Sequence, residues 1–146
     1  METTHTNWLA VLVSAVAGFA LGWLWYGMLF LQKWADGNGL TLDMEKGTMT
    51  KNGVELAPDF TPMIVNFVVM LVYAVLLNWF IQRLNMRTWA GGAQVGGMIG
   101  LIGLLGVFVG NMYAHNPSSL SMVDGSYTLV LFTIIGAIMG GWQKRG

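Results

Sequence analysis

The chain has 146 residues, of which 55% are hydrophobic and 10% charged, and its seven basic and seven acidic side chains cancel. A soluble domain carries about 25% charged residues, and a neutral chain offers no basic surface for nucleic acid. It has no cysteine, which excludes thiol catalysis, disulfides and cysteine-held metal.

Four apolar stretches contain no Asp, Glu, Lys or Arg: about 8–31, 62–81, 89–113 and 126–142. A helix needs about 20 apolar residues to cross a bilayer. Three stretches reach that length and the fourth falls slightly short. The prediction is an all-α membrane protein: four transmembrane helices in an up-down bundle, one domain over 1–146, with a small extramembrane loop at 32–61. The first stretch exceeds a signal-peptide core of about 7–15 residues and lacks a basic flank, so it reads as a retained helix. Ser14, Gly18 and Gly22 give it a small-residue face at four-residue spacing.

In the loop, Asp36-Gly37-Asn38-Gly39 is a turn cluster. Thr41–Lys46 is expected to make one helical turn, capped by Thr41 and stopped by Gly47. Thr48–Leu56 reads as a hairpin about Asn52-Gly53, a pair suited to a type I′ turn. A lone hairpin is marginal in water, so this one must rest on the bundle or on a partner. A solvated connector outweighs a binding lid as its reading. Thr61-Pro62 then opens the second span, where proline's missing N–H costs nothing.

Asn66 and Tyr73 share a face of the second helix. A polar pair in lipid is more often glue between helices than a site. The third span is rich in glycine, and Gly96, Gly100, Gly103 and Gly110 form a nearly continuous groove. In the fourth, Gly136 and Gly140 follow Thr133. Small faces let helix backbones approach closely. Packing within one bundle is the plainer reading, and a homo-oligomer the sharper one.

Aromatic residues favour the two membrane–water interfaces. Trp8, Trp79, Trp89 and Trp142 fall at one set of span ends, and Trp34, Tyr113 and Tyr127 at the other. Arg83, Arg87, Lys144 and Arg145 sit in short segments, whereas Lys33, Lys46 and Lys51 occupy the long loop. The positive-inside rule then puts both termini in the cytoplasm.

The one candidate polar site is Asn111, His115 and Asp124. Asn111 and His115 are four apart at the outer end of the third helix, and Asp124 is expected just before the fourth. Trp25 and Tyr26 should lie at the same depth. The plainer alternative is a helix start, since Ser121-x-x-Asp124 resembles a capping box. A zinc site would need two further ligands, and His5 falls across the membrane. No cofactor or metal is expected. Spans without ionisable groups speak against a coupled transporter, and the halves show no internal repeat.

Asn7-Trp8-Leu9-Ala10, Gly22-x-x-Trp25-Tyr26, Lys33-Trp34, Asp124-Gly125-Ser126-Tyr127 and Ile138-Met139-Gly140-Gly141-Trp142 together carry a resemblance. Over nearly its whole length the chain resembles the bacterial four-span membrane proteins of domain-of-unknown-function family 1761. It departs in having Gly27-Met28 where a proline is expected, and in a longer first loop. The resemblance implies a bacterial inner-membrane location and four helices. It brings no activity.

Three functions remain open. A structural or accessory subunit packing through glycine faces comes first, with the lipid bilayer and a homo-oligomer or another membrane protein as partners, and no nucleic acid. A small channel or facilitator between protomers is the alternative. An enzyme using His115 and Asp124 ranks last, since no nucleophile accompanies them.

Overall fold

The computed structural model describes residues 5–143. Its first helix, α1, spans Trp8–Leu24 and continues as a wider π turn, Trp25–Leu29. A short α2 follows at Leu31–Gly37, then strands β1 (Leu40–Asp43), β2 (Thr48–Lys51) and β3 (Val54–Glu55). Three long helices complete the chain: α3 (Thr61–Arg83), α4 (Trp89–Tyr113) and α5 (Ser118–Gly141). Four helical segments, Trp8–Leu29 and α3 to α5, are long and apolar enough to cross a membrane.

Local chemistry sets the helix ends. The Asn7 side-chain oxygen accepts from the Ala10 N–H at 3.3 Å, and Thr88 Oγ1 accepts from Gly91 at 2.9 Å. Each satisfies a first-turn amide that has no partner within its helix. Asp59 does the same for Thr61 at 2.9 Å. Asn85 and His115, just beyond α3 and α4, take left-handed φ values of 56° and 57°, a conformation that stops a helix.

Three expectations need correction. The first span is not one helix to Leu31. It widens at Trp25 and breaks at Phe30, where φ is −127° and ψ 18°. Thr41–Lys46 forms no helical turn. Thr41 lies in β1 opposite Thr50, and the Asp43 carboxylate accepts from the Glu45 and Lys46 amides at 3.1 and 3.0 Å. That side-chain bonding makes a turn, and Gly47, at φ 66°, lets the chain reverse into β2. Finally, α5 begins at Ser118, directly after Pro117, and not at Ser126.

The strands form an antiparallel sheet in the order β1-β2-β3. Leu40 pairs with Lys51 and Thr50 with Glu55. Asn52 and Gly53, at φ 52° and 78°, turn the chain between β2 and β3.

The core lies where α1, α3 and α5 meet, around Ala15, Met70, Ala74, Leu77, Ile135 and Met139. On α1, Ser14 is buried. A Cβ at Gly18 would come 2.9 Å from the Met70 sulfur, so glycine there lets α1 close on α3. Helix α4 packs mainly on α5, running antiparallel to it. Gly92 meets the Gly136 carbonyl and the Gly140 Cα, Gly96 meets the Phe132 carbonyl, and Gly100 faces Leu129. Further along, Gly103 faces Thr128, and Gly125 of α5 sits against Leu104 and Phe108. Gly106 and Gly110 have nothing within 4 Å of where a Cβ would stand.

Candidate functional site

The π turn builds the most distinctive polar contact in the molecule. The Phe30 N–H donates to the Trp25 carbonyl at 2.9 Å, a five-residue step that inserts one extra residue into the turn. Such bulges are rare and cluster at functional sites. Here the bulge brings two consecutive side chains to α5. The Trp25 indole N–H donates to the Val123 carbonyl at 3.0 Å. The Tyr26 hydroxyl donates to Asp124 Oδ1 at 2.9 Å.

Other aromatic rings continue this contact. Tyr26 stands edge-on to Trp34 at 6.1 Å and to Tyr127 at 4.9 Å, with interplanar angles of 66° and 64°. Trp25 lies 6.2 Å from Tyr127 and 5.0 Å from Phe30. Two glycines allow the approach. A Cβ at Gly22 would lie 3.0 Å from the Tyr127 hydroxyl, and one at Gly37 would lie 2.8 Å from Leu120 Cβ. The second closeness seats α2 on α5. The Asn38 side chain then closes α2 by donating to the Trp34 carbonyl at 2.8 Å.

Asp124 is therefore inside the fourth apolar helix, not before it. The expectation of spans without ionisable groups is corrected at this residue. Ser118 starts α5, so Asp124 lies about 9 Å along the axis from the helix start. Among the described residues no Lys, Arg or His nitrogen lies within 4.0 Å of its carboxylate. An ionisable group at membrane depth is expensive and marks a functional-site hypothesis.

Asn111, His115 and Asp124 have different surroundings. Asn111 Oδ1 accepts from the Asn116 amide at 2.9 Å. His115 is exposed in its left-handed turn. Asp124 is bound to Tyr26. Helix α5 holds Asp124 in its second turn, while His115 lies in the turn before that helix. The shared depth of Trp25, Tyr26 and Asp124 was readable in the sequence; the pairing needed the bulge. Among the described residues no three His, Asp or Glu side chains group to hold a metal ion.

A second polar cluster ties the opposite end of the bundle. Asn78 is buried on α3, and its oxygen accepts from Gln143 at 3.0 Å while its amide donates to Thr6 at 3.4 Å. Gln82 donates to the Gln143 side chain at 3.3 Å, and Asn7 donates to the Trp142 carbonyl at 3.1 Å. Amides of this kind join helices where water is scarce.

The remaining interface aromatics divide in two. Trp8, Trp79, Trp89 and Trp142 are exposed, and the Arg83 guanidinium lies 5.3 Å over the Trp79 ring. Trp25, Tyr26 and Trp34 are half-buried.

Over residues 9–140 the chain matches a family described as "Protein of unknown function (DUF1761)". It belongs to the DUF1761 family. No curated protein and no solved structure matches it. Membership of DUF1761 and the four apolar helices together make this a small multi-pass membrane protein. The match takes in both the bulge and Asp124, so the carboxylate contact lies within the DUF1761 region.

Proposed function

We propose that the chain is a non-enzymatic accessory subunit of the bacterial inner membrane, with both termini cytoplasmic, that associates with a second copy of itself through α4. The observation that supports this is how α4 uses its glycines. Gly92, Gly96, Gly100 and Gly103 are taken up by α5, whereas Gly106 and Gly110 are open, beside exposed Ile102, Leu105 and Val109. Gly106 and Gly110 make a GxxxG pair, whose notch another helix backbone fills with close contact. Lys144 and Arg145, which weigh in the topology count, lie outside the described residues. The separate surroundings of His115 and Asp124 speak against the enzyme reading.

The test is mass measurement in mild detergent. The wild type is expected as a dimer or larger. Gly106→Leu and Gly110→Leu should give monomers with unchanged melting temperature, because both glycines are exposed and a Cβ at either meets nothing within 4 Å. A wild-type monomer in both detergent and nanodiscs would sink this reading. A channel between protomers is the alternative, and the same bare backbone on α4 favours it. Ion flux into liposomes that stops in Gly110→Leu would decide for the channel.

A further inference from the structure

An apolar groove of about 340 Å³ runs along the seam between α1 and α3. Only Trp, Val and Leu side chains line it, among them Trp8, Val11 and Leu12 of α1 and Val72, Val75 and Leu76 of α3. Leu12, Val72 and Leu76 are exposed, so the groove opens outward, toward the surrounding lipid. A partner helix brings its backbone close through a notch of small residues, and this lining has none. A thin, flexible acyl chain needs no such notch.

The groove leads to a cation. Val72, Leu76, Trp79 and Arg83 follow one another at helical spacing, so they make a single stripe of α3. Long side chains in a helix lean toward its N-terminus. That carries the Arg83 guanidinium back toward the groove, and it lies 5.3 Å over the Trp79 ring. Trp79 is exposed at a span end, where tryptophan sits at headgroup level. Among the described residues no carboxylate comes within 4.0 Å of Arg83. Residues 5–12, 77–92 and 136–143, which form this end of the bundle, contain no Asp or Glu. An exposed guanidinium at this depth offers paired N–H donors whose geometry matches phosphate.

We propose that the α1–α3 groove and Arg83 together form a site for one anionic phospholipid, with an acyl chain along Val72 and Leu76 and the phosphate at Arg83. A zwitterionic phospholipid brings the same chain, but its own ammonium offsets the phosphate charge that Arg83 meets. The site therefore selects phosphatidylglycerol over phosphatidylcholine. It uses α1 and α3, and so does not depend on self-association through α4.

The test is native mass spectrometry of the full chain in mild detergent, with an equimolar mixture of the two lipids carrying identical acyl chains. One basic side chain near a membrane surface contributes about fivefold, and the phosphatidylglycerol adduct should exceed the phosphatidylcholine adduct by that factor. Arg83→Gln should bind the two lipids equally. Lys33→Gln makes the same change of charge at the opposite end of the bundle and should keep the wild-type preference. Val72→Trp fills the groove from an exposed position and should lower the adducts of both lipids. A wild type without preference, a preference that survives Arg83→Gln or is lost in Lys33→Gln, or a Val72→Trp variant that binds as the wild type does, would overturn the site.

Discussion

Gly92 and Gly136 meet backbone against backbone. A Cβ on either would overlap the other's carbonyl oxygen. No side-chain rotation relieves such a clash, because both partners are main chain.

Gly92→Leu or Gly136→Leu should therefore destabilise the fold by the upper end of the about 1–3 kcal/mol that overpacking costs, or more. Thermal unfolding in detergent measures this. Gly106→Leu is the control, since nothing lies within 4 Å of where its Cβ would stand. Equal melting temperatures for all three would mean that α4 does not sit on α5.

Tyr26→Phe removes one hydroxyl and keeps the ring. Hydrogen bonds to charged groups contribute about 1.5–3 kcal/mol. Asp124 is half-buried, which should place this one near the lower end. Asp124→Asn should cost less than Tyr26→Phe, because an amide oxygen still accepts. The reverse order, read by denaturation, would mean that the hydroxyl is not what holds Asp124.

At the other end of the bundle, Asn78→Leu leaves Gln143 and Gln82 short of a buried partner. Unsatisfied buried groups cost about 1–3 kcal/mol. The loss should be larger for Asn78→Leu than for Gln82→Leu, since Asn78 is at the centre of the cluster and is 3% exposed. Unfolding midpoints of the two variants compare them directly.

The entry to α3 should respond to acid. Hydrogen bonds from Thr61 hold the Asp59 carboxyl below its ordinary value of 3.8. A lowered folded-state pKa contributes stability that is present above the ordinary value and lost as pH falls through the folded one. Amide exchange at the first turn of α3 should rise only below pH 3.8, and in Asp59→Ala it should already be fast at neutral pH. A wild-type rise starting well above that value would contradict the capping role.

Orientation is open to single-cysteine labelling, since the chain has no cysteine of its own. Asn52, Ser119 and Thr88 are exposed. An impermeant reagent on intact cells should modify cysteines at the first two only. Labelling at Thr88 would invert the topology.

The four apolar helices were legible because a bilayer demands one property, sustained hydrophobicity, that composition records directly. The start of α5 was not. Ser118, Ser119, Ser121 and Asp124 read as loop by polarity, yet the helix absorbs them: Ser121 is buried, and Tyr26 takes up Asp124. Thr41 misled for a related reason. Its neighbour Asp43 bonds local amides in a turn as readily as at a helix start. The π turn left no trace at all, since widening a helix by one residue changes no hydropathy. The pairing of Tyr26 with Asp124 depends on that widening, and so remained out of reach of the sequence.

The bulge at Trp25–Leu29 also sets the phase of everything that follows it. Deleting one residue there restores an ordinary turn and rotates the downstream segment by about 100° about the axis. Trp34 would swing off Tyr26, and Gly37 would leave Leu120. A single codon lost in this stretch thus acts as a rotary setting for the extramembrane cap, and shortens only the first of the four spans.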